Sequence, residues 1–249
     1  MHPRNCYRLN NFFTQIVCDQ HFISDEMNAL LRHPDDYLRR HPSRIVQNNF
    51  KNRIVFLEIG ATKAIVKIHN YKSTWHRIKR YFRRTRASTS WHYSLLFNEN
   101  GIPTPKPIAY KETRMGPLRG GSYFVYEWVD GITGDEYFLR NENNAEKIQK
   151  AVESIVDITS KIKNLGLIHG DIRLKNIIFK GDEIFLTDFD DIGKRRWYKP
   201  GFVNNRDFRG LIKDIHYNVP KAIQPFFLSR LALLGNDIEH LVKSYRHKA

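Results

Sequence analysis

Between residues 144 and 165 the apolar side chains Ile148, Val152, Ile155, Ile158 and Ile162 recur every three or four positions. That period puts them on one face of a helix, which Gly166 closes. A different period rules residues 44–69, where "RIVQNNF", "RIVFLEI" and "KAIVKIH" are short β-branched runs separated by turns. They read as an antiparallel meander. Ahead of it, "SDEMNALLRHPDDYLRRH" predicts two short helices, with Ser24 as an N-cap and His33-Pro34 as the break. After it, Trp75, Ile78 and Phe82, then Trp91, Leu95 and Leu96, keep helical spacing and predict two helices with a break near Thr85 to Ser90. "GIPTPKPIAY" is too proline-rich for a helix and reads as an extended lead into a strand. "GGSYFVYEWVDG" reads as a buried strand. "NIIF" and "IFLTDF" form a hairpin around "KGDE", and the remainder is mostly helical, with a loop around "KRRWYKPGFVNN".

This order predicts an α+β chain with a β-rich front and a helical back. Composition agrees with a folded protein: 249 residues are 41% hydrophobic and 13% aromatic. Charge narrows the partners. Lys and Arg number 41 against 26 Asp and Glu, a formal net charge of +15, which favours nucleic acid, an anionic membrane face or a phosphorylated substrate. Cys6 and Cys18 lack any paired spacing, so reduced thiols are expected rather than a disulfide framework or a zinc site. No stretch approaches the roughly 20 apolar residues of a spanning helix, and the opening "MHPRNCYRLNNFF" lacks a signal-peptide run, so a soluble protein is expected. P-loop, nucleophile-elbow and H-E-x-x-H motifs are absent.

The chemistry gathers in "HGDIRLKNIIFKGDEIFLTDFDD", residues 169–191. Asp171 precedes Asn176 by five positions, matching H-R-D-x-x-x-x-N with Gly170 in place of Arg. Asp188 follows the second strand, where D-F-G is expected, and Lys67 in "AIVKIH" resembles the V-A-I-K strand lysine. Phosphoryl transfer needs a carboxylate at the acceptor hydroxyl, oxygen ligands for magnesium and a cation on the phosphates. These motifs, in this order, resemble the protein-kinase-like fold, two-lobed with a β-rich N-lobe and a reduced helical C-lobe. Residues 1–43 are then an N-terminal extension, 44–127 the N-lobe and 128–249 the C-lobe.

The resemblance implies Asp171 as catalytic base, Arg173 as a cation on the transferring phosphoryl group, and Asn176 and Asp188 as magnesium ligands. Lys67 would meet the ATP phosphates, and backbone groups from Glu127 to Val129 the adenine. Asp190 and Asp191 read as turn or cap acids before metal ligands, and Asp207 either holds the catalytic loop or is exposed. Three departures from protein kinases stand out. No Gly-rich loop precedes Lys67, the next helix offers His92 and Glu99 rather than an obvious carboxylate for it, and Asp190 replaces the D-F-G glycine.

"SWHYSLLFNENGIPTPKPIAY", "LIHGDIRLKNIIF", and "LTDFDDIGKRRW" followed by "NRDFRGLIKDI" are similar to the bacterial lipopolysaccharide core kinases. That similarity implies ATP- and magnesium-dependent phosphorylation of a heptose or 3-deoxy-manno-octulosonic acid (Kdo) hydroxyl. The acceptor would be lipid-linked, at the cytoplasmic face of the inner membrane. Seven basic residues from Lys72 to Arg86, without an acid and backed by Trp75, Ile78 and Phe82, suit an anionic membrane surface, and nucleic acid less well. The alternatives are a small-molecule or protein kinase of the same superfamily, or a catalytically dead relative that binds a polyanion.

Overall fold

The computed structural model describes residues 5–48, 52–69, 84–195 and 205–246. The chain folds as two compact units, Met1–Glu99 with Pro105–Trp128, and Asn100–Thr104 with Val129–Ala249.

The first unit is built on one antiparallel sheet of strands β1 (Cys6–Asn10), β2 (Thr14–Asp19), β3 (Ser43–Asn48), β4 (Asn52–Ile59), β5 (Thr62–His69), β6 (Pro107–Met115) and β7 (Leu118–Glu127). Their spatial order is β1-β2-β6-β7-β5-β4-β3. Helices α1 (Asp25–Arg32) and α2 (Pro34–Arg40) form where the capping pattern predicts, and the Ser24 hydroxyl accepts from the Met27 N–H at 3.1 Å. They bury Met27, Leu30, Leu31 and Leu38 against Ala64, Val66 and Ile68 of β5. Because side chains alternate along a strand, Ile65, Lys67 and His69 point to the opposite face. Helix α3 (Arg86–Glu99) packs on that face, with Ala87 and Trp91 against Val17, Tyr110 and Phe124.

Residues 86–90, expected to break two helices, are instead the first turn of α3. Thr85 is the reason: its hydroxyl oxygen accepts from the Ser88 N–H at 3.1 Å and donates to the buried Glu112 carboxylate at 2.7 Å. That single side chain caps the helix and ties it to β6. The helix expected over Trp75 to Phe82 lies outside the described residues.

The second unit centres on helix α5 (Ala145–Asn164), whose apolar stripe is buried as its period predicts. Each such side chain contributes roughly 1.5–3 kcal/mol on burial, far above the few tenths that separate helix propensities, so packing sets this helix. Asn144 caps its start and Gly166, at φ +67°, turns the chain out of its end. The short helix α4 (Gly134–Arg140) stacks Tyr137 on Phe179 at 3.9 Å between ring centroids. Two small sheets follow, β11 (Glu183–Leu186) with β10 (Ile177–Lys180) and β8 (Ile132–Thr133), and β12 (Gly193–Lys194) with β9 (Leu167–Ile168). Helices α6 (Arg206–Asn218), α7 (Gln224–Ala232) and α8 (Asn236–Arg246) complete the unit. Among the described residues no helix is long and apolar enough to cross a membrane.

Candidate active site

Strand β9 delivers the chain into residues 169–176, and α6 holds that loop at both ends. Asp207 and Asp214, seven residues apart, lie two helical turns apart on one face of α6. The buried Asp207 carboxylate accepts from the N–H groups of His169 and Gly170 at 2.6 and 2.7 Å. Asp214, 2% exposed, accepts from the Leu174 N–H and from an Arg173 guanidinium nitrogen, both at 2.6 Å. The stretch of backbone pinned between the two carboxylates carries Asp171. Burial pushes the Asp207 carboxyl up, opposed by His169 and the two backbone donors.

The Gly170 that replaces the expected Arg has a backbone reason. Its φ is +93°, and a Cβ there would stand 2.6 Å from the Asp191 carbonyl oxygen. Only glycine fits both conditions.

Asp171 and Asn176 meet as the five-residue spacing predicts. The Asn176 side-chain amide donates to the Asp171 backbone carbonyl at 2.9 Å and to its carboxylate at 3.2 Å. With Nδ2 so oriented, Oδ1 is the atom left for a cation. Thr187 donates twice to the Asn176 carbonyl, from its N–H and its hydroxyl, both at 2.9 Å, and thereby draws the next residue, Asp188, to the same place. Asp188 has φ +68°, the one non-glycine residue with positive φ among the described residues. Such backbone costs of order 1–3 kcal/mol and persists where the surroundings impose it, most often at functional sites.

His169 is fully buried and its ring packs edge-on against Phe189, with centroids 5.5 Å apart. Burial pushes its pKa down, against the opposing charges of Asp207, Asp188 and Asp171. The ring is therefore neutral and structural. Below its ordinary value of 6.5 the unfolded chain takes up a proton that the folded ring refuses, so this contribution to stability is present above 6.5 and lost as pH falls. The expected loss is up to about 1.4 kcal/mol per pH unit, and His169→Phe should remove it. Urea unfolding across the acidic range checks this. A variant as acid-sensitive as the wild type would contradict it.

Arg173 sits in the second unit, ion-paired to Asp214. Lys67, in the first, is 4% exposed on β5, opposite Phe124 of β7 and Ile54 of β4. The buried positions of α3 are Ala87, Ser90, Trp91, Ser94 and Phe97, so no carboxylate lies on that face; Glu99 is exposed and His92 half-buried. Glu127 ends β7 with its N–H bonded to the Lys106 carbonyl, and the Trp128 N–H bonds to the Lys63 carbonyl. Val129 begins the longer segment of the second unit. Of the basic stretch, Lys72 to Arg83 lie outside the described residues.

Two residues of consequence do not stand out in the sequence. Asp214 leaves one trace, as an acid on the apolar stripe of Phe208, Leu211, Ile212 and Ile215. Glu112, 1% exposed, leaves none.

Among the described residues no group of three or more His, Cys, Asp or Glu could hold a metal. That excludes an all-protein cage there, but it suits magnesium, which takes one or two protein oxygens and keeps water or phosphate for the rest. Asn176 and Asp188 are the pair that the sequence motifs point to for this role.

The lipopolysaccharide kinase (Kdo/WaaP) family model matches residues 38–245. Among solved structures, WaaP in complex with acyl carrier protein superposes with a TM-score of 0.59 at 15% identity, covering 89% of this chain and 97% of that one. The fold is shared. Among curated proteins, the probable serine/threonine-protein kinase fnkB of Dictyostelium discoideum is 32% identical over 59 residues, 23% of this chain and 11% of that protein. A probable bifunctional tRNA threonylcarbamoyladenosine biosynthesis protein of Methanosarcina mazei is 23% identical over 159 residues, 63% of this chain and 26% of that protein. The match therefore spans about a quarter or less of these relatives' length.

Proposed function

The chain belongs to the lipopolysaccharide kinase (Kdo/WaaP) family, a family of phosphotransferases, and from that premise we propose that it transfers the γ-phosphate of ATP to a heptose or Kdo hydroxyl of the lipopolysaccharide inner core. Asp171 accepts the hydroxyl proton as the sugar oxygen attacks in line; the new oxygen–phosphorus bond forms, the β–γ bridging bond breaks and ADP leaves. Arg173, steadied by Asp214, faces the charge that builds on the transferring group. Lys67 steadies the phosphates. Because the Glu127 and Trp128 N–H groups are already bonded, the adenine is assigned to the Glu127 carbonyl and the Val129 N–H. Asn176 Oδ1 and Asp188 would hold magnesium, which when bound neutralises phosphate charge.

The observation that supports this reading is the Asn176 amide on Asp171, which holds that carboxylate and leaves Oδ1 as the acceptor atom of Asn176. The work is assigned to the cytoplasmic face of the inner membrane, on a lipid-linked acceptor, with the basic stretch Lys72–Arg86 at the anionic surface. The test is transfer of labelled γ-phosphate from Mg-ATP to delipidated core oligosaccharide, intact lipopolysaccharide and a generic protein. Label on the core sugars is expected. Label on the generic protein alone would move the function elsewhere within the superfamily, and absence of transfer, together with no Mg-ATP binding by titration calorimetry, would make this a catalytically silent polyanion binder.

A further inference from the structure

The first unit holds three large apolar side chains in solvent at one place. Phe12 is 58% exposed, Phe13 70% and Met115 60%. The two phenylalanines form the turn between β1 and β2, their rings edge-to-face at 5.1 Å. Met115 ends β6 at the turn into β7. Backbone bonds join the two turns: the Phe13 carbonyl accepts from the Arg114 N–H at 2.7 Å, and the Phe12 carbonyl from the Gly116 N–H at 2.9 Å. The Asn11 carboxamide oxygen accepts from the N–H groups of Phe13 and Thr14 at 2.9 and 2.8 Å. Gly116, at φ +61°, lets the Phe12 ring lie close, since a Cβ there would be 3.1 Å from Cε2. The tip is thus held rigidly in a geometry that leaves its apolar side chains uncovered.

We propose that the joined β1–β2 and β6–β7 turns are a wedge that enters the interface of an anionic phospholipid membrane. Three observations select that occupant. The tip is a pair of joined turns whose apolar side chains are all more than half exposed, which suits a deformable lipid surface better than the pocket of a protein. Its backbone carries its own hydrogen bonds, as any segment entering a poorly hydrated medium requires. Arg8, Arg114 and Arg119 lie on the same two hairpins; Arg114 and Arg119, 18% and 27% exposed, share the buried Glu112 carboxylate, so net positive charge remains and the exposed Arg8 is its member open to anionic headgroups. Aromatic side chains flanked by arginine are the composition found where proteins lie in the headgroup region. Of the other exposed apolar residues, Ile45 and Val46 lie on β3 at the far edge of the sheet from β1, and Leu139, Tyr217 and Leu233 belong to separate stretches of the second unit.

This wedge rests on the reading of the acceptor as membrane-borne, and the two are tested by separate readouts. The wild-type chain and a Phe12→Ser/Phe13→Ser variant are sedimented with vesicles of phosphatidylethanolamine and phosphatidylglycerol, and with phosphatidylcholine vesicles. Both proteins are also assayed on delipidated core oligosaccharide. The wild type is expected on the anionic vesicles, and the variant to bind them about tenfold or more weakly. The thermal midpoint and the rate on the soluble sugar should stay unchanged, since both side chains are exposed and belong to no catalytic element. A variant that sediments like the wild type would overturn the wedge and leave membrane contact to other charges. A wild type that sediments with neither vesicle would overturn it as well and turn the tip toward a protein partner. The oligosaccharide assay reads the kinase reaction alone, so its failure cannot be mistaken for failure of the wedge.

Discussion

Asp171→Ala is expected to lower phosphate transfer to the core sugar by about 10²–10⁴-fold, the range in which a positioned general base acts. The fold should survive. Asp171 is half-buried, and the Asn176 amide keeps its 2.9 Å bond to the residue 171 carbonyl whatever side chain is present. What the substitution removes is the carboxylate bond at 3.2 Å. Asp171→Asn sharpens the result, because it retains an acceptor for Asn176 while removing the base. Equal losses in both variants assign the effect to proton acceptance; a loss in Ala alone assigns it to positioning. Near-normal turnover by either variant on the true acceptor would remove Asp171 from its role. Single-turnover rates with circular dichroism as the folding control make the measurement.

Asp207→Ala should damage both stability and rate. Its two oxygens are the partners of the His169 and Gly170 N–H groups, and each buried donor left without an acceptor costs roughly 1–3 kcal/mol. A loss of about 2–6 kcal/mol overall is a large part of the total stability of a domain this size. Transfer should fall even where the chain is fully folded, because the N-terminal anchor of the loop carrying Asp171 is gone. Asp207→Asn keeps one acceptor and sets its amide against the other donor, so it should lie between. Urea unfolding gives the first quantity and kcat at saturating substrates the second. Wild-type values for both in the Ala variant would show that α6 does not hold the loop.

Much of this is legible in the sequence. The Ser24 cap, the stripe on α5 and the meander of β3 to β5 follow from local pattern, and the spacing of Asp171 and Asn176 leads directly to residues that hydrogen bonds bring together, with Thr187, beside Asp188, bonded to Asn176 as well. What escapes depends mostly on contacts distant in the chain. Residues 6–19 look irregular because their alternation is imperfect, yet β2 finds β6 nearly a hundred residues later, with Val17 opposite Tyr110. The start of α3 is hidden because Glu112, far along the chain, fixes Thr85 as its cap. Glu112 itself shares the Tyr110 face of β6, which is covered only once the helix packs on it, so its burial cannot be read from the strand alone. Asp207 stays open because its partners are backbone N–H groups, which leave no mark on composition or spacing, and Asp214 goes unnoticed because two of its donors, the Leu174 N–H and the Arg173 guanidinium, lie about forty residues away.

The order of synthesis gives the clamp on the catalytic loop a meaning of its own. When a ribosome has translated as far as Asp188, every residue assigned to the chemistry has been made, but the helix bearing Asp207 and Asp214 has not. A nascent chain at that stage has its reactive groups without the two carboxylates that arrange them. The same is true of a chain cleaved before α6. The anchors of the loop are therefore supplied late in synthesis, by a helix C-terminal to every residue assigned to the chemistry.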